Sequence, residues 1–539
     1  MKTFYKNGAF YTANPDQYFA EAMLVEDGKI SWIGNEDDAR QAEFDVIIDL
    51  QGKRVLPGII DAHMHPLLLA EVGQKIYCGV PQVHSIKDIQ HAIKMELSAR
   101  ANEGEEKWVL GWGYDESKLV EGRSPSKEDL DEVTSSIPIV LTRACGHIVV
   151  ANSAALKLAD ITSSTKAPYG GEIEVDETGE LTGVLKEKAR ELVYQAIPEQ
   201  TLEEKGQLLA ELSKKLFSQG ITAITELMAT LHPYDFYEIY EKAYEQGYKQ
   251  HTVMYYLWDD IQHKQNLLKR NQSGTNEDLQ IGGIKLFADG SISGKTAWFS
   301  EGYVNDAGNT GISVTSPKEL LEAAAVAKEH QLQVVVHGMG DRAIRQVVGT
   351  FAEVDGWLSN IPSVRIEHAA LIDQETLVKG INAGIGFVTQ PIFLFAEIDS
   401  YLNNLGASKT NQTYRIKTML DSGANICLSS DAPATSWEDT SNPFIGIKSA
   451  VTRTAYSGEM YNSSEAISVQ KAIDLYTRHA QEITGIPLVG QLKTGYWADF
   501  IVLEEDIFSV DAMDIDKISV LATYFKGDCV FELEKKIEV

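Results

Sequence analysis

Cysteine is scarce in this sequence, and basic residues are fewer than acidic ones. The 539 residues include four cysteines, at positions 78, 145, 427 and 529, and none stands in a Cys-X-X-Cys spacing. The sequence therefore indicates neither a disulfide framework nor a thiolate zinc site. With 48 Lys and Arg against 78 Asp and Glu, the formal net charge is −30. Such a chain would repel nucleic acid and anionic membrane surfaces, so we expect neither as a partner.

Long apolar runs and internal repeats are also absent. No segment holds about 18 consecutive apolar residues, the length that a membrane-spanning helix needs, and the first residues lack the apolar run of a secretory signal. Together with the scattered cysteines, these absences favour a reducing, cytoplasmic location. The composition, 44% hydrophobic and 23% charged residues, is that of an ordinary globular protein with a large core.

The two ends of the chain have similar patterns. Near the N-terminus, short β-rich runs alternate with turns, as in residues 22–33, which is typical of hairpins. Near the C-terminus, runs such as 498–503 and 520–525 have the same character. We expect residues 1–57 and 490–539 to form one small β domain.

Between these ends, over residues 58–489, lie short apolar, β-branched runs, several of them bounded by helical stretches. Near-continuous apolar strands that alternate with helices indicate a parallel sheet covered on both faces, and about eight of them favour a closed (β/α)₈ barrel of the α/β class. An open, doubly wound sheet is the alternative. The runs occupy residues 56–61, 221–226, 252–257, 281–287, 333–337, 364–368, 385–390 and 425–431.

Many more residues separate the first of these runs from the second than one βα crossover needs. We therefore predict an insertion at about residues 75–200. Apolar runs such as 107–114 and 139–143 indicate that the insertion has strands of its own. We expect it to form a subdomain that covers the substrate.

A pair of histidines follows the first apolar run. His63 and His65 are two positions apart, so in an extended strand their side chains leave on the same face and can converge on one ion. A His-X-His pair also arises by chance or as a polar strand end. The pair alone is therefore a modest signal.

Three further residues occupy the last position of other predicted strands: His337, His368 and Asp431. Catalytic groups in (β/α)₈ barrels gather at this end of the strands. A single buried histidine is more often a hydrogen-bonded core residue, but the repeated placement needs one common explanation, and metal binding supplies it. Imidazole and carboxylate ligands without thiolate fit Zn²⁺ in a catalytic site, while Fe, Mn, Co and Ni stay open.

Two charged residues lie close to the same strand ends. Lys285 falls within the fourth predicted strand, where an unpaired ammonium is costly. It either pairs with a carboxylate or reacts with CO₂ to form a carbamate, which could bridge two metal ions. Glu226, at the end of the second run, is a metal ligand, a partner of Lys285 or a charge on the barrel rim.

Five motifs resemble, in order and spacing, those of the amidohydrolase superfamily, in particular its YtcJ-like branch, which includes N-substituted formamide deformylases. The similarity runs nearly from end to end of the chain. The motifs are PGIIDAHMH (57–65), KLFADGS (285–291), HGMGDRA (337–343), RIEH (365–368) and LSSDAP (428–433).

This resemblance implies a (β/α)₈ barrel with a composite β-sandwich built from both chain ends. It also implies one metal ion on His63 and His65, a second on His337 and His368, a carboxylated Lys285 as the bridge, and Asp431 as ligand and proton shuttle. Whether one or two ions bind stays open. The role of Asp289, in the motif of Lys285, is also open.

Within the insertion, three segments resemble the substrate side of this branch. They make Trp112, His147 and Asn152 candidate substrate-binding residues, although ordinary loop packing would explain the same residues. No convergent chemical pattern in the insertion decides between the two interpretations.

The function that follows is metal-dependent hydrolysis of a C–N bond outside peptides, in a small amide or N-substituted formamide. A metal-activated hydroxide would attack, and Asp431 would accept the water proton and return it to the leaving nitrogen. Deamination of an aminoheterocycle is the alternative within enzymology, and a non-catalytic metal-binding or ligand-sensing barrel is the alternative of another class. We expect a small-molecule substrate and, as a default, a homodimer.

Overall fold

The computed structural model describes residues 1–39, 44–79, 82–99, 108–143, 148–272, 276–435 and 437–534. The chain forms two compact units, one made of Met1–Leu67 with Leu202–Val539 and the other of Leu68–Thr201. Among the described residues, no helix combines the length and the apolar character needed to cross a membrane.

The centre of the first unit is a sheet of eight parallel strands, numbered here β1 to β8 in chain order. Each strand pairs with the next one along the chain, so the order never reverses as it would in a doubly wound sheet. The prediction of a barrel is confirmed. The strands are Ile59–Met64, Ile221–Ala229, His251–Leu257, Leu279–Phe287, Gln333–Gly338, Val364–His368, Gly386–Thr389 and Asn425–Leu428.

The last strand meets the first just beyond their ends. The backbone N–H of Asp431 donates to the carbonyl of His63 at 2.7 Å, and the N–H of His65 donates to the carbonyl of Ala432 at 2.8 Å. These two bonds bring the sheet nearly to closure. They also bring three of the predicted metal ligands together.

The first barrel strand begins later than predicted, because one apolar run serves two sheets. Arg54–Pro57 pairs with a C-terminal strand, and Ile59–Met64 enters the barrel. Gly58 separates them where the backbone approaches Thr222 so closely that a Cβ atom would lie 2.2 Å from its hydroxyl oxygen. Only glycine fits this passage between the sheets.

Helices cover the outside of the barrel. Several begin at a capping side chain, as at Ser316, whose side chain accepts from the backbone of Glu319 while Pro317 occupies the first turn. The helix Pro66–Gly73 begins in this unit and continues into the second. The helices that lie wholly in this unit are Leu202–Ser218, Phe236–Glu245, Trp258–Ile261, Pro317–His330, Asp341–Phe351, Gln374–Asn382, Ile392–Thr410, Ile416–Asp421, Pro443–Thr452, Val469–Tyr476 and Arg478–Thr484. Short 3₁₀ helices are Glu36–Ala39, Gln265–Gln272, Ser463–Glu465 and Ala512–Lys517.

Both chain ends contribute to a pair of smaller sheets. In the six-stranded sheet, Phe500–Leu503 pairs antiparallel with Arg54–Pro57, so the C-terminal strands continue the N-terminal ones. Apolar side chains of both sheets, including Tyr5, Met23 and Phe500, form one core. In spatial order the strands are Lys29–Gly34, Ala22–Glu26, Lys2–Lys6 and Val46–Asp49 in one sheet, and Asp528–Glu532, Val520–Phe525, Phe500–Leu503, Arg54–Pro57, Ala9–Tyr11 and Phe19–Ala20 in the other.

The second unit has a six-stranded mixed sheet of its own. Apolar clusters around Ile89 and around Val149 form its core. Its strands, in spatial order, are Gly171–Val175, Leu181–Glu187, Ile148–Ala151, Ile139–Arg143, Val109–Tyr114 and Ile76–Tyr77, and its helices are Ile86–Ala99, Lys127–Asp131, Ser153–Leu158 and Arg190–Tyr194, with a 3₁₀ turn at Glu116–Lys118. That this unit covers the substrate stays a prediction.

Candidate metal centre

Three predicted ligands converge where β1 and β8 end. The Oδ1 atom of Asp431 lies 3.0 Å from Nε2 of His63 and 2.9 Å from Nε2 of His65. One potential ligand atom from each residue lies within 4.8 Å of the other two, and all three residues are buried. Two imidazole nitrogens and a carboxylate at this spacing are a donor set for a divalent cation such as Zn²⁺.

A buried carboxylate, that of Asp61, holds together the two strand ends that carry these three residues. The Oδ1 atom of Asp61 accepts the N–H of His63 at 3.2 Å and the N–H of Ser430 at 3.1 Å, so it ties the two strand ends together. Asp431 itself has a left-handed backbone, with φ 56°. A non-glycine residue in that conformation is strained, and such strain is concentrated at functional sites.

His337 and His368 lie beside this group, with ring centroids 4.4 Å apart. Nε2 of His337 donates to the carbonyl of Gly290 at 3.0 Å, and Nδ1 of His368 donates to Oε1 of Gln390 at 2.8 Å. Burial lowers the pKa of His337 to about 4 and that of His368 well below its usual value, so both rings are neutral. Each ring therefore keeps one lone pair, on Nδ1 of His337 and on Nε2 of His368, which is the state that a metal ligand needs.

Lys285 is 1% exposed, and its ammonium has no hydrogen-bond or ion-pair partner in the part of the chain that the structure describes. Burial lowers the pKa of Lys285 to about 8, although Glu367 and Asp431 oppose the shift. The predicted alternative of a direct pairing with a carboxylate is therefore not found among these residues. A buried amine with a lowered pKa is partly unprotonated near neutral pH, which is the form that reacts with CO₂.

The electrostatics of the cluster suit a cation. Burial alone would lower the pKa of His65, but Asp431 and Glu226 outweigh it and raise the value to about 9. Burial alone would raise the pKa of Asp431, but His63 and His65 hold it well below the usual range. The buried carboxylate thus stays charged because the two imidazoles balance it, a role that a bound cation would take over.

Glu226 lies beside His65. Its Oε1 lies 3.6 Å from Nδ1 of His65 and accepts the N–H of Met228 at 3.0 Å, while Oε2 accepts the hydroxyl of Tyr240 at 3.2 Å. The carboxylate is 1% exposed. The contacts therefore do not support the predicted partnership with Lys285. The other two predicted roles, metal ligand and charge on the barrel rim, stay open.

Asp289 joins the loops that follow β4 and β5. Its carboxylate accepts the backbone N–H groups of Trp298, Met339 and Gly340 at 2.8–2.9 Å, and Oδ1 lies 3.6 Å from Nε2 of His337. Burial raises the pKa of Asp289 to about 7, against the three N–H bonds that lower it. The contacts indicate a residue that organises loops beside His337.

The structure also brings in two residues that the analysis of the sequence did not single out. Nδ1 of His63 lies 2.6 Å from Oε2 of Glu367, and Oε1 of Glu367 lies 2.8 Å from Nε of Arg365. Both new residues belong to the RIEH motif, in which only His368 received a role. The signal that could have found them is a pair of opposite charges, two residues apart, in a strand expected to be buried.

A cavity of about 200 Å³ opens onto the cluster. Apart from the predicted ligands, its walls are largely apolar, with a few hydroxyl groups and one carboxylate. They are formed by Met228, Phe287, Ser291, Ser293, Met339, Phe393, Glu397, Tyr401 and Ala434. Apolar walls around a few convergent polar groups are typical of small-molecule sites.

The candidate substrate residues of the insertion lie in the second unit. Trp112 is half-buried in the strand Val109–Tyr114, with its ring centroid 5.4 Å from that of Tyr77. Asn152 is fully buried and caps the helix Ser153–Leu158. Its amide nitrogen donates to two backbone carbonyls, and its oxygen accepts two backbone N–H groups. These four bonds use its hydrogen-bonding capacity, so they support a structural role, and a substrate contact stays a prediction.

His147, the third candidate of the insertion, lies outside the described residues.

Comparisons with known proteins agree with this geometry. Residues 46–531 match the model of a family described as an amidohydrolase family. YtcJ of Bacillus subtilis (strain 168) is 28% identical over 99% of this chain and 100% of its own length. An N-substituted formamide deformylase of Arthrobacter pascens is 27% identical over 95% of each chain. A crystal structure of an uncharacterized metal-dependent hydrolase from Pyrococcus horikoshii shares the fold, with a TM-score of 0.75 and 23% identity, over 95% of this chain and 99% of that one.

Proposed function

Since the chain belongs to the amidohydrolase family and is a hydrolase of carbon–nitrogen bonds, we propose that it hydrolyses a small amide such as an N-substituted formamide. The observation that carries this proposal is the convergence of His63, His65 and Asp431 on one cavity, beside a buried Lys285 that has no hydrogen-bond partner among the described residues.

We assign the metal to this cluster. His63, His65 and Asp431 would hold one ion, and the lone pairs of His337 and His368 are available for a second, with Lys285 as a carbamate between the two sets. Zn²⁺ suits these nitrogen and oxygen donors, although Fe, Mn, Co and Ni have compatible ligand preferences. The ammonium of Lys285, which has no hydrogen-bond partner among the described residues, supports the carbamate, because the reaction with CO₂ turns a costly buried cation into an anionic ligand.

A divalent ion in this place would lower the pKa of a bound water and polarise the substrate carbonyl. The protein supplies the proton transfers. Asp431 is held as a carboxylate, so it can accept the proton of the attacking water and then donate it to the leaving nitrogen. The apolar walls around Phe393 and Met339 would hold the nitrogen substituent and exclude bulk water.

The relative from Arthrobacter pascens, which acts on N-substituted formamides, supports this substrate class. A cavity of about 200 Å³ also favours a small substrate over a peptide. An aminoheterocycle deaminase would use the same residues and differ in its leaving group, so release of ammonia in place of an amine would identify it. A non-catalytic metal-binding barrel would bind the metal and show no turnover.

The location that we propose is the cytoplasm. The described cysteines are free, with Cys78 and Cys427 buried and Cys529 exposed. A protein with free thiols and no described disulfide suits a reducing compartment.

The test combines metal analysis with activity. We expect purified protein to contain a divalent metal, to hydrolyse members of a panel of formamides and other amides, and to lose turnover on chelation. Asp431→Asn should keep measurable metal and lose turnover by about 10²- to 10⁴-fold, the usual contribution of a general acid and base. No metal after reconstitution, or an Asp431→Asn variant as active as the wild type, would overturn the proposal.

A further inference from the structure

The sixth barrel strand, Val364–His368, carries two charged residues among apolar ones. Arg365 and Glu367 are two positions apart, so their side chains leave the strand on the same face. Both are fully buried, with 0% of their surface exposed. A buried ion pair of this kind is expensive to desolvate and is weak evidence for stability, so its place in the structure needs another explanation.

The carboxylate of Glu367 lies behind one of the candidate ligands. Its Oε2 is 2.6 Å from Nδ1 of His63, across 304 residues of chain. The other nitrogen of the ring, Nε2, is 3.0 Å from Oδ1 of Asp431. Glu367 therefore contacts the side of the imidazole that faces away from the ligand cluster.

Arg365 fixes the carboxylate in turn. Its Nε lies 2.8 Å from Oε1 of Glu367, and its Nη2 donates to the carbonyl of Ala62 at 3.1 Å. The guanidinium also lies over the ring of Tyr255, 4.8 Å from its centroid. Arg365 thus reaches from β6 to Ala62 of β1, next to His63, and forms an ion pair with Glu367.

The second histidine of the pair has no equivalent support. Nδ1 of His65 is buried and has no hydrogen-bond partner in the described parts of the chain, and its nearest carboxylate oxygen, on Glu226, is 3.6 Å away. The two candidate ligands His63 and His65, both histidines and two positions apart, are therefore held differently. The 2.6 Å contact is specific to His63 and is not a general property of the cluster.

We propose that Glu367 is a positioning residue, which accepts the Nδ1–H of His63 and so keeps the lone pair of Nε2 directed toward the metal cluster. This inference rests on the proposed function, since it concerns the same metal site. Carboxylates that accept the second N–H of a ligating histidine fix its tautomer and raise its basicity. Arg365 keeps Glu367 in place, and the pair is retained for the geometry of the site.

The first test is the zinc affinity of Glu367→Gln, measured by competition with a chromophoric chelator. Glutamine has nearly the same shape but no charge, and its amide can also turn and donate to Nδ1, which would move the proton to Nε2. We expect zinc to bind about 10- to 100-fold more weakly, the usual cost of losing such a partner.

The matched control is Glu465→Gln. Glu465 is also a buried carboxylate of the first unit, 6% exposed, and it accepts the backbone N–H of Thr418 at 2.8 Å. This substitution should lower thermal stability without changing zinc affinity. Equal zinc losses in the two variants would mean that any buried carboxylate has this effect, and would overturn the proposal.

A second measurement does not require Glu367→Gln to fold. Long-range ¹H–¹⁵N correlation spectra of wild-type protein with labelled histidine should show His63 protonated on Nδ1, with the signal assigned by its loss in His63→Gln. A ring of His63 protonated on Nε2 in the zinc-bound protein would overturn the inference. Wild-type protein that binds no divalent metal after reconstitution would refute the proposed function, whereas normal zinc affinity in Glu367→Gln would refute only this inference.

Discussion

The carboxylate of Asp61 accepts the backbone N–H of Ser430 at 3.1 Å, although 369 residues separate the two along the chain. The same oxygen atom accepts the N–H of His63. One buried side chain therefore sets the distance between the end of the first barrel strand and the loop that carries Asp431. The geometry of the candidate metal centre depends on this link as well as on the ligands themselves.

Removing the link should harm both folding and metal binding. Asp61→Ala leaves two buried N–H groups without an acceptor, and each costs about 1–3 kcal/mol. Asp61→Asn keeps one oxygen in place and should lose less. Urea unfolding of the metal-free proteins and zinc titration would measure both effects, and an Asp61→Ala variant as stable as the wild type would contradict the expectation. Asp176→Asn is a control, because Asp176 accepts similar N–H bonds in an exposed turn.

Replacing Lys285 by methionine should separate stability from activity. The buried ammonium has no hydrogen-bond partner among the described residues, so we expect the free energy of unfolding of the metal-free protein to stay the same or to rise. Turnover should fall at least about 100-fold if a carbamate on Lys285 holds the metal, in line with the loss of a group that supports a catalytic metal. Hydrolysis assays and thermal melts provide the two measurements.

Two further observations check the role of Lys285. Protein prepared in ¹³C-bicarbonate should give a carbamate signal in ¹³C NMR that is missing from Lys285→Met. Lys409→Met is the control, because Lys409 pairs with Glu301 at 2.9 Å and does not line the cavity. A fully active Lys285→Met variant would show that this lysine is dispensable.

The apolar wall of the cavity should select the nitrogen substituent of the substrate. Phe393 lines the cavity, whereas Phe395, two residues later, packs its ring against Trp437 with centroids 5.1 Å apart. Phe393→Leu should shift the preference in kcat/KM toward bulkier substituents by about 10-fold, the effect of a small change in pocket volume. Phe395→Leu should leave the preference unchanged while costing similar stability. The same shift in both variants would mean that the cavity wall does not set specificity.

His251 predicts a pH dependence of stability. Burial alone would lower its pKa, but Asp499 at 2.9 Å and Asp278 at 2.6 Å raise it to about 9. Because the pKa in the folded protein exceeds the ordinary value of about 6.5, the stabilisation is complete below pH 6.5 and is lost as the pH rises through 9. The stability difference between wild type and His251→Gln should therefore shrink from pH 6 to pH 10.

His479 is the control for this experiment. Burial lowers its pKa to about 4, with a contribution from Arg478, so it is neutral in the folded protein above that pH. The difference between wild type and His479→Gln should be constant from pH 8 to pH 10 and should change only in acid. A constant difference for His251→Gln over the alkaline range would refute the assignment.

Much of the fold could be predicted because the alternation of strands and helices is visible in local sequence patterns. Apolar, β-branched runs alternating with helices indicate parallel strands, and the barrel that they predict is confirmed. The start of the first barrel strand could not be predicted from periodicity, because one continuous run supplies Arg54–Pro57 to one sheet and Ile59–Met64 to another. A change of sheet within a run leaves no mark in periodicity.

The candidate ligands could be predicted for a related reason. In a parallel barrel all carboxyl ends lie at one face, so His63, His337, His368 and Asp431 had to be neighbours once each was placed at a strand end. The assignment of Glu226 could not be predicted, because its contact with His65 depends on which way one side chain turns at the rim.

The sequence by itself determined the barrel and the face on which the polar residues gather. Only the tertiary structure decided which nitrogen of His337 and of His368 is available, and that Glu367 backs His63 and not His65. It also decided that Lys285 has no hydrogen-bond partner among the described residues. Strand order follows from local patterns along the chain. Hydrogen-bond partners separated by hundreds of residues are set by side-chain rotamers and by the closure of the barrel, which no local pattern records.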